Sequence, residues 1–380
     1  MKKIVFSFFA LFIFLVTSSV SQAATWKPAT PEEYTPISWA KAPGIASFFK
    51  APSGSGSLDF LTRINLSQNQ IQFLAPTSTA PLDWGMPSSN FTNSVVVKES
   101  TPSMTDVATD TPSTTETNTG DSIVNNSGFH NFAFARFVAE FGKSINSDAK
   151  FVWNAPFFNI NLPTSDLSLA LKTTIGGNPF ISSGSRPDFD MANSRKMLLI
   201  NNRTGKASIQ DFDADIFVST ASGDQAFESF APDVAKSDGG NGRTARLFIG
   251  VMPNKQEVVI YCSQSATIGE ASQALSLAGV PVENQMEADG GGSASCGYNL
   301  PGQYFVEPNR TLPLMMGALT IIARGTPTTD GLNVRSGPSA KSAVVRKINK
   351  TELVHVFEEK TGWYRIGFGE WVSKTLIKKM

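Results

Sequence analysis

The run Val280 to Ala288 reads as a strand and ends in Asp289-Gly290-Gly291-Gly292-Ser293. Three successive glycines cannot extend a strand or helix cheaply, because glycine loses the most backbone freedom on ordering. They do permit positive φ and close approach of the backbone to another group, here directly after a carboxylate. Their N–H groups can line an anion-binding concavity. A flexible turn is the other reading of a glycine run taken alone. The rest of the chain decides between them.

The N-terminus reads as a secretory signal. Lys2 and Lys3 form a basic start, Ile4 to Val16 an apolar stretch, and Ser21-Gln22-Ala23 a small-residue cleavage site. This predicts a signal peptide over 1–23 and a secreted or periplasmic mature protein. An uncleaved anchor is the alternative for the same run. No other apolar run is long enough to span a bilayer, so no membrane span is expected after cleavage. Acidic and basic residues balance at 32 each. That removes any global electrostatic argument for a nucleic-acid partner.

Cys262 and Cys296 are the two cysteines. In an oxidising compartment they read as a disulfide that would pin the glycine-rich loop to the strand ending at Cys262. Two buried thiols are the other reading. Two cysteines and two histidines (His130 and His355) make a poor ligand set, so no metal site is expected from them, and any cofactor is left unknown.

Composition divides the chain. Residues 24–57, rich in Pro, Ala, Ser and Gly, are expected to be irregular. Residues 58–322 form the larger domain, interrupted by a polar insertion over 101–121. Leu58 to Leu66 and Gln70 to Leu74 read as paired strands around a polar turn. Strands are also expected at Ser94–Lys98, Phe151–Trp153, Met197–Asn201, Leu247–Met252 and Val258–Cys262, and a helix at Phe129–Phe141. Ile268, Ala271, Leu275 and Ala278 give a second helical period, with Gly279 as its stop. The order strand, strand, helix, strand puts Asp289 at the carboxyl end of a strand, where α/β sheets gather their sites.

Residues 323–380 change character to short strands broken by turns, as in a small barrel. Leu332-Asn333-Val334-Arg335-Ser336-Gly337-Pro338, Gly362-Trp363-Tyr364 and Gly369-Glu370-Trp371-Val372 resemble the bacterial SH3 (SH3b) family. The resemblance implies a module for cell-wall peptide or another envelope polymer, which would raise local concentration by tethering. A structural role for the same residues, with Trp363, Tyr364 and Trp371 as core aromatics, is the alternative.

The larger domain carries a second, ordered set of motifs. Asn154-Ala155-Pro156-Phe157-Phe158 follows a strand and Arg246-Leu247-Phe248-Ile249-Gly250 opens another. A helix and the Ala288 to Ser293 loop come next, then Asn309-Arg310-Thr311. This order resembles the phosphodiester glycosidase family, whose bacterial members are often exopolysaccharide-related. The chain departs from the family pattern at Ala155, Leu247, Phe248 and Glu287. The resemblance implies an α+β fold, a mixed-sheet domain followed by a small all-β SH3-like barrel, and hydrolysis of a sugar-1-phosphodiester.

The chemistry such a reaction needs can be matched to residues. Cleavage at an anomeric carbon passes through an oxocarbenium-like state and generally uses two carboxyl groups. Asp289 is the first candidate. Glu287 or Glu270 could be the second, and Glu287, two residues earlier, shares a strand face with Asp289. Arg246 offers a planar fork for a phosphodiester. The N–H groups of Gly290, Gly291, Gly292 and Ser293 offer an oxyanion cradle. Asn154 is placed to orient a sugar hydroxyl or a water. A turn-capping role for Asp289, an ordinary strand-end ion pair for Arg246, a solvated strand position for Glu287 and a local turn for Asn154 are the plain alternatives.

Overall fold

A computed structural model describes residues 26–51, 57–74, 151–154, 173–175, 178–180, 195–213, 225–232, 242–298, 304–308, 315–367 and 369–380. The signal peptide, the strand expected at 94–98, the insertion at 101–121, the helix expected at 129–141, Phe157, Phe158 and Arg310 lie outside them.

The chain opens with strands β1 (Thr35–Ala42) and β2 (Ile45–Lys50), a hairpin turned by Gly44 at φ 69°. The expectation of an irregular segment over 24–57 is therefore corrected. Beneath the Pro/Ala/Ser-rich composition, Ile37, Ala40, Ile45 and Phe48 supply buried positions that hold two strands. Next come β3 (Asp59–Asn65) and β4 (Asn69–Leu74). They do not pair with each other as expected. Leu66 N–H donates to Gln256 O at 2.8 Å, and the turn beyond it carries the chain from one sheet into another.

The following strands are β5 (Phe151–Asn154), β6 (Thr173–Ile175), β7 (Asn178–Phe180), β8 (Arg195–Asn201), β9 (Lys206–Asp211), β10 (Gln225–Phe230), β11 (Thr244–Val251) and β12 (Glu257–Ala266). Helix α1 (Ile268–Leu277) is followed by β13 (Gln285–Glu287), β14 (Cys296–Tyr298), β15 (Tyr304–Val306) and β16 (Met315–Thr320). The strand expected from Val280 is shorter than read. Val282–Asn284 forms a 3-10 turn first, leaving three residues to pair.

One sheet runs β1-β2-β3-β12-β11-β13-β10-β6-β7, with β8 and β9 branching from β10. The second runs β15-β14-β5-β16-β4. Leu247, Ile249, Ile260 and Met286 of the first sheet share one core with Phe151, Trp153, Met316 and Ala318 of the second. The first sheet's other face holds Leu61, Phe248 and Tyr261 against Ile268, Ala271 and Leu275 of α1. The result is a helix, sheet, sheet stack in which the alternation of each strand feeds two cores.

Among the described residues every strand pairing is antiparallel, where a mixed sheet is expected. The reason lies in the crossover. Strands β12 and β13 flank β11, each antiparallel to it, so they are parallel to each other without touching. The fold is mainly β, with one α-helix among the described residues. That helix is bounded as its sequence predicts. Thr267 and Glu270 form a reciprocal capping box, and Gly279 follows at φ 91°.

The C-terminal barrel comprises β17 (Ala323–Pro327), β18 (Leu332–Arg335), β19 (Val344–Ile348), β20 (Val354–Val356), β21 (Glu358–Lys360), β22 (Trp363–Gly367), β23 (Glu370–Ser373) and β24 (Ile377–Lys379). Val334, Ile348, Val356, Tyr364 and Val372 fill it. Phe357 leaves this core and joins the larger domain's core instead. Ile322 N–H donates to Val356 O at 2.8 Å, Arg324 Nη2 to Leu66 O at 3.3 Å, and His355 Nδ1 meets Gln70 Oε1 at 3.0 Å. The barrel is thus docked on the larger domain, not merely strung from it.

Candidate functional site

Asn154 ends β5 in the second sheet, and Asp289 follows β13 in the first. The two meet where the sheets' ends converge. Asn154 Nδ2 donates to Asp289 Oδ2 at 3.1 Å and to Ser293 O at 3.0 Å. Two acceptors on that side fix which amide atom is nitrogen, because the flipped amide would set oxygen against a carboxylate. Among the described residues the buried Asn154 Oδ1 has no partner. Such an acceptor costs about 1–3 kcal/mol unless something donates to it. Asp289 keeps 8% of its surface exposed, and Asn154 none.

The glycines have separate reasons. A Cβ on Gly290 would stand 3.1 Å from Ala245 O, so the backbone of β11 crowds this position. Gly291 has φ 60°, with nothing within 4 Å of a Cβ, so conformation and not space requires glycine there. Gly291–Ser293 then forms a 3-10 turn in which Ser293 N–H donates to Gly290 O at 3.3 Å. The first N–H groups of such a turn have no partner within it, which makes those of Gly291 and Gly292 its outward donors.

Arg246 and Glu287 lie behind this loop. Phe248 faces Glu287 across β11 and β13, so Arg246 shares the face that Glu287 occupies. Arg246 Nη1 donates to Glu287 Oε1 at 3.1 Å, Nη2 to Gly242 O at 3.1 Å, and Nε to Ala266 O at 3.4 Å. Arg246 is 3% exposed and Glu287 is fully buried. The backbone carbonyl of Glu287 accepts from Ser229 Oγ. The pair is therefore part of the sheet's interior charge structure, one rung behind Asp289.

Cys262 and Cys296 form a disulfide. It joins β12 of the first sheet to β14 of the second. Cys296 pairs in register with Trp153, the neighbour of Asn154. The bond therefore fastens the exit of the glycine loop near Asn154, as the sequence anticipates.

Other acids have structural employment. Glu270 accepts from Thr267 N–H at 2.8 Å and pairs with Arg243. The Thr267 backbone contact leads the effects that hold its carboxyl below the usual range. Asp211 pairs with Lys196 at 2.7 Å on the surface. Two residues that sequence reasoning missed are Glu228 and Arg195, an ion pair on β10 and β8. Both sit in a stretch without a recognisable motif, and only the register of four strands brings them beside Glu287. Among the described residues no cluster of three or more His, Cys, Asp or Glu side chains could hold a metal. No helix there is long and apolar enough to cross a membrane.

Comparison with known proteins gives a family match for one part of the chain. Residues 330–378 are a bacterial SH3 domain. Curated protein sequences return no match. Two solved structures are similar over most of the chain. One is the catalytic domain of zebrafish N-acetylglucosamine-1-phosphodiester α-N-acetylglucosaminidase, auto-inhibited by its pro-peptide. That likeness has 12% identity and a TM-score of 0.42, and covers 76% of this chain and 86% of that one. The other is a hypothetical protein from Synechocystis, at 12% identity and a TM-score of 0.34, covering 75% of this chain. The chain spans 63% of the length of the Synechocystis protein.

Proposed function

We propose that this protein is an extracytoplasmic hydrolase that cleaves a sugar-1-phosphodiester in an envelope or extracellular glycan. The observation that carries the reading is the Asn154 contact to Asp289, which unites two motifs far apart in sequence. Asp289 has an oriented carboxylate beside a glycine turn whose free N–H groups suit a phosphate oxygen. In the proposed reaction Asp289 takes a proton from water as the water attacks the anomeric carbon. The bond from that carbon to the phosphate oxygen breaks, and a phosphate monoester leaves. Asn154 Oδ1 accepts from the water or a sugar hydroxyl. Glu287, buried and tied to Arg246, acts through that pair by fixing the site's charge, not by exchanging protons.

The bacterial SH3 domain supplies the envelope address, and the disulfide suits an oxidising compartment. A second reading, a non-catalytic envelope-binding protein, draws on the departures at Ala155, Leu247 and Phe248 and on Arg246, each of whose three nitrogens donates to a protein group. Incubation of the full chain with a panel of sugar-1-phosphodiesters separates the two. Release of free sugar supports the hydrolase. Retention on isolated cell wall without release from any member supports the binding protein.

A further inference from the structure

The geometry points to Arg195 as the guanidinium that meets the substrate's phosphate, with Glu228 as the residue that positions it. This inference rests on the phosphodiester reading above and names the anion contact that reading leaves open. Arg246, the cation carried by the motif, has all three nitrogens donating to protein groups and 3% exposure. It has little capacity left for a ligand.

Arg195 is differently placed. Its Nε and Nη2 both engage Glu228 Oε1, and among the described residues Nη1 has no acceptor. Its side chain is 27% exposed, whereas that of Glu228 is 1% exposed. The guanidinium also lies 4.3 Å from the ring centroid of Phe212. A buried carboxylate on one edge and an aromatic ring against the plane hold the fork of a partly exposed side chain.

Register brings this fork to the site. Phe230 of β10 faces both Glu287 of β13 and Arg195 of β8. Glu228 and Asp289 each lie two residues from that Phe230–Glu287 pair. The contact of Ala288 N–H with Leu247 O, at 2.8 Å, shows β13 still following β11 at that point. Arg195 and Glu287 are two strand spacings apart, or roughly 10 Å. The Arg195 head reaches sideways to Glu228, which brings it one rung toward Asp289. Arg246, Glu287, Glu228 and Arg195 thus lie on one face of four adjacent strands, an Arg-Glu-Glu-Arg row. Within it Glu287 pairs with Arg246 and Glu228 with Arg195. Arg195 is the more exposed of the two arginines.

The test is binding of glucose-1-phosphate and of uncharged methyl glucoside to the full chain, by calorimetry. Wild type is compared with Arg195→Ala, Arg195→Lys and Glu228→Gln, each checked for folding by its thermal melt. Loss of a charge-assisted contact predicts glucose-1-phosphate affinity weaker by about tenfold or more in Arg195→Ala. Arg195→Lys keeps the charge and so the ion pair, but loses the fork, and is expected to fall between. Glu228→Gln should also weaken binding, with methyl glucoside affinity unchanged in all three. Equal glucose-1-phosphate affinity in wild type and folded Arg195 variants, or none in wild type, overturns the assignment. Wild-type turnover of a sugar-1-phosphodiester is scored separately. Its absence beside Arg195-dependent phosphate binding would sink the hydrolase reading and leave an anion site.

Discussion

Asn154 and Asp289 stand 135 residues apart in the chain and 3.1 Å apart in space. One belongs to each sheet, so their contact depends on how the two sheets are stacked, not on local sequence. It also ties the carboxylate to the glycine turn, because the same amide holds Ser293 O.

Asn154→Asp tests that contact. The substitution keeps shape but sets two carboxyl groups about 3 Å apart in a buried place. The pair would then share a proton, and its folded-state affinity for that proton would exceed the unfolded value. Stability is therefore expected to be near normal at pH 4 and to fall as pH rises to 7, by on the order of 3 kcal/mol. Urea unfolding at the two pH values checks it. A variant equally stable at both would show that the two side chains do not meet.

Reduction of Cys262–Cys296 should loosen the loop without dissolving the fold. The bridge closes a sequence separation of 34, for which chain entropy gives about 3–4 kcal/mol. Cys262→Ser with Cys296→Ser is expected to lower unfolding free energy by that order. Hydrogen exchange should rise first at Ala294 to Tyr298, which follow the glycine turn.

Glycine positions should respond unequally. Gly291→Ala forces a side chain into φ 60°, a cost of about 1–2 kcal/mol. Gly290→Ala meets Ala245 O at 3.1 Å and must push the loop away from β11. Thermal melts of the two variants, with sugar-release rates, distinguish them. Gly290→Ala should lose more activity for a similar loss of stability, since it displaces Asp289 directly.

The barrel's docking should depend on pH. Arg324 Nε donates to His355 Nε2 at 3.2 Å, which requires a neutral ring with its proton on Nδ1, facing Gln70 Oε1. Burial, then the nearby Arg324 charge, lowers the His355 pKa to about 4 from the ordinary 6.5. Below 6.5 the unfolded chain binds the proton first. Stability from this site is complete above that pH and is lost as pH falls toward 4, by at most on the order of 3 kcal/mol. Unfolding midpoints from pH 7 to 4.5 should drop more in wild type than in His355→Gln. Parallel slopes would contradict this.

Much of this was open to a sequence reading, for identifiable reasons. The helix at 268–277 has both its period and its caps in local residues. The bacterial SH3 signature is a continuous run, and the cysteine pair had one possible partner each. Asp289 and Asn154 stand out in the sequence because glycines and an ordered motif surround them, and the structure brings the two into contact. Non-local pairing was not legible. The β1–β2 hairpin hid in a Pro- and Ser-rich composition. The turn after Leu66 read as a hairpin because a switch between sheets uses the same polar residues. Arg195 and Glu228 carry no motif, and their meaning comes from the strand order β11-β13-β10-β8.

The central claim is that Asp289 performs hydrolysis of a sugar-1-phosphodiester. The direct measurement is sugar release from a panel of sugar-1-phosphodiesters by wild type and by Asp289→Asn, with melts showing both folded. Removal of the proton-accepting carboxylate should lower the rate by about 10²–10⁴-fold while the Asn154 amide keeps a partner. Equal release by the two proteins would contradict the account.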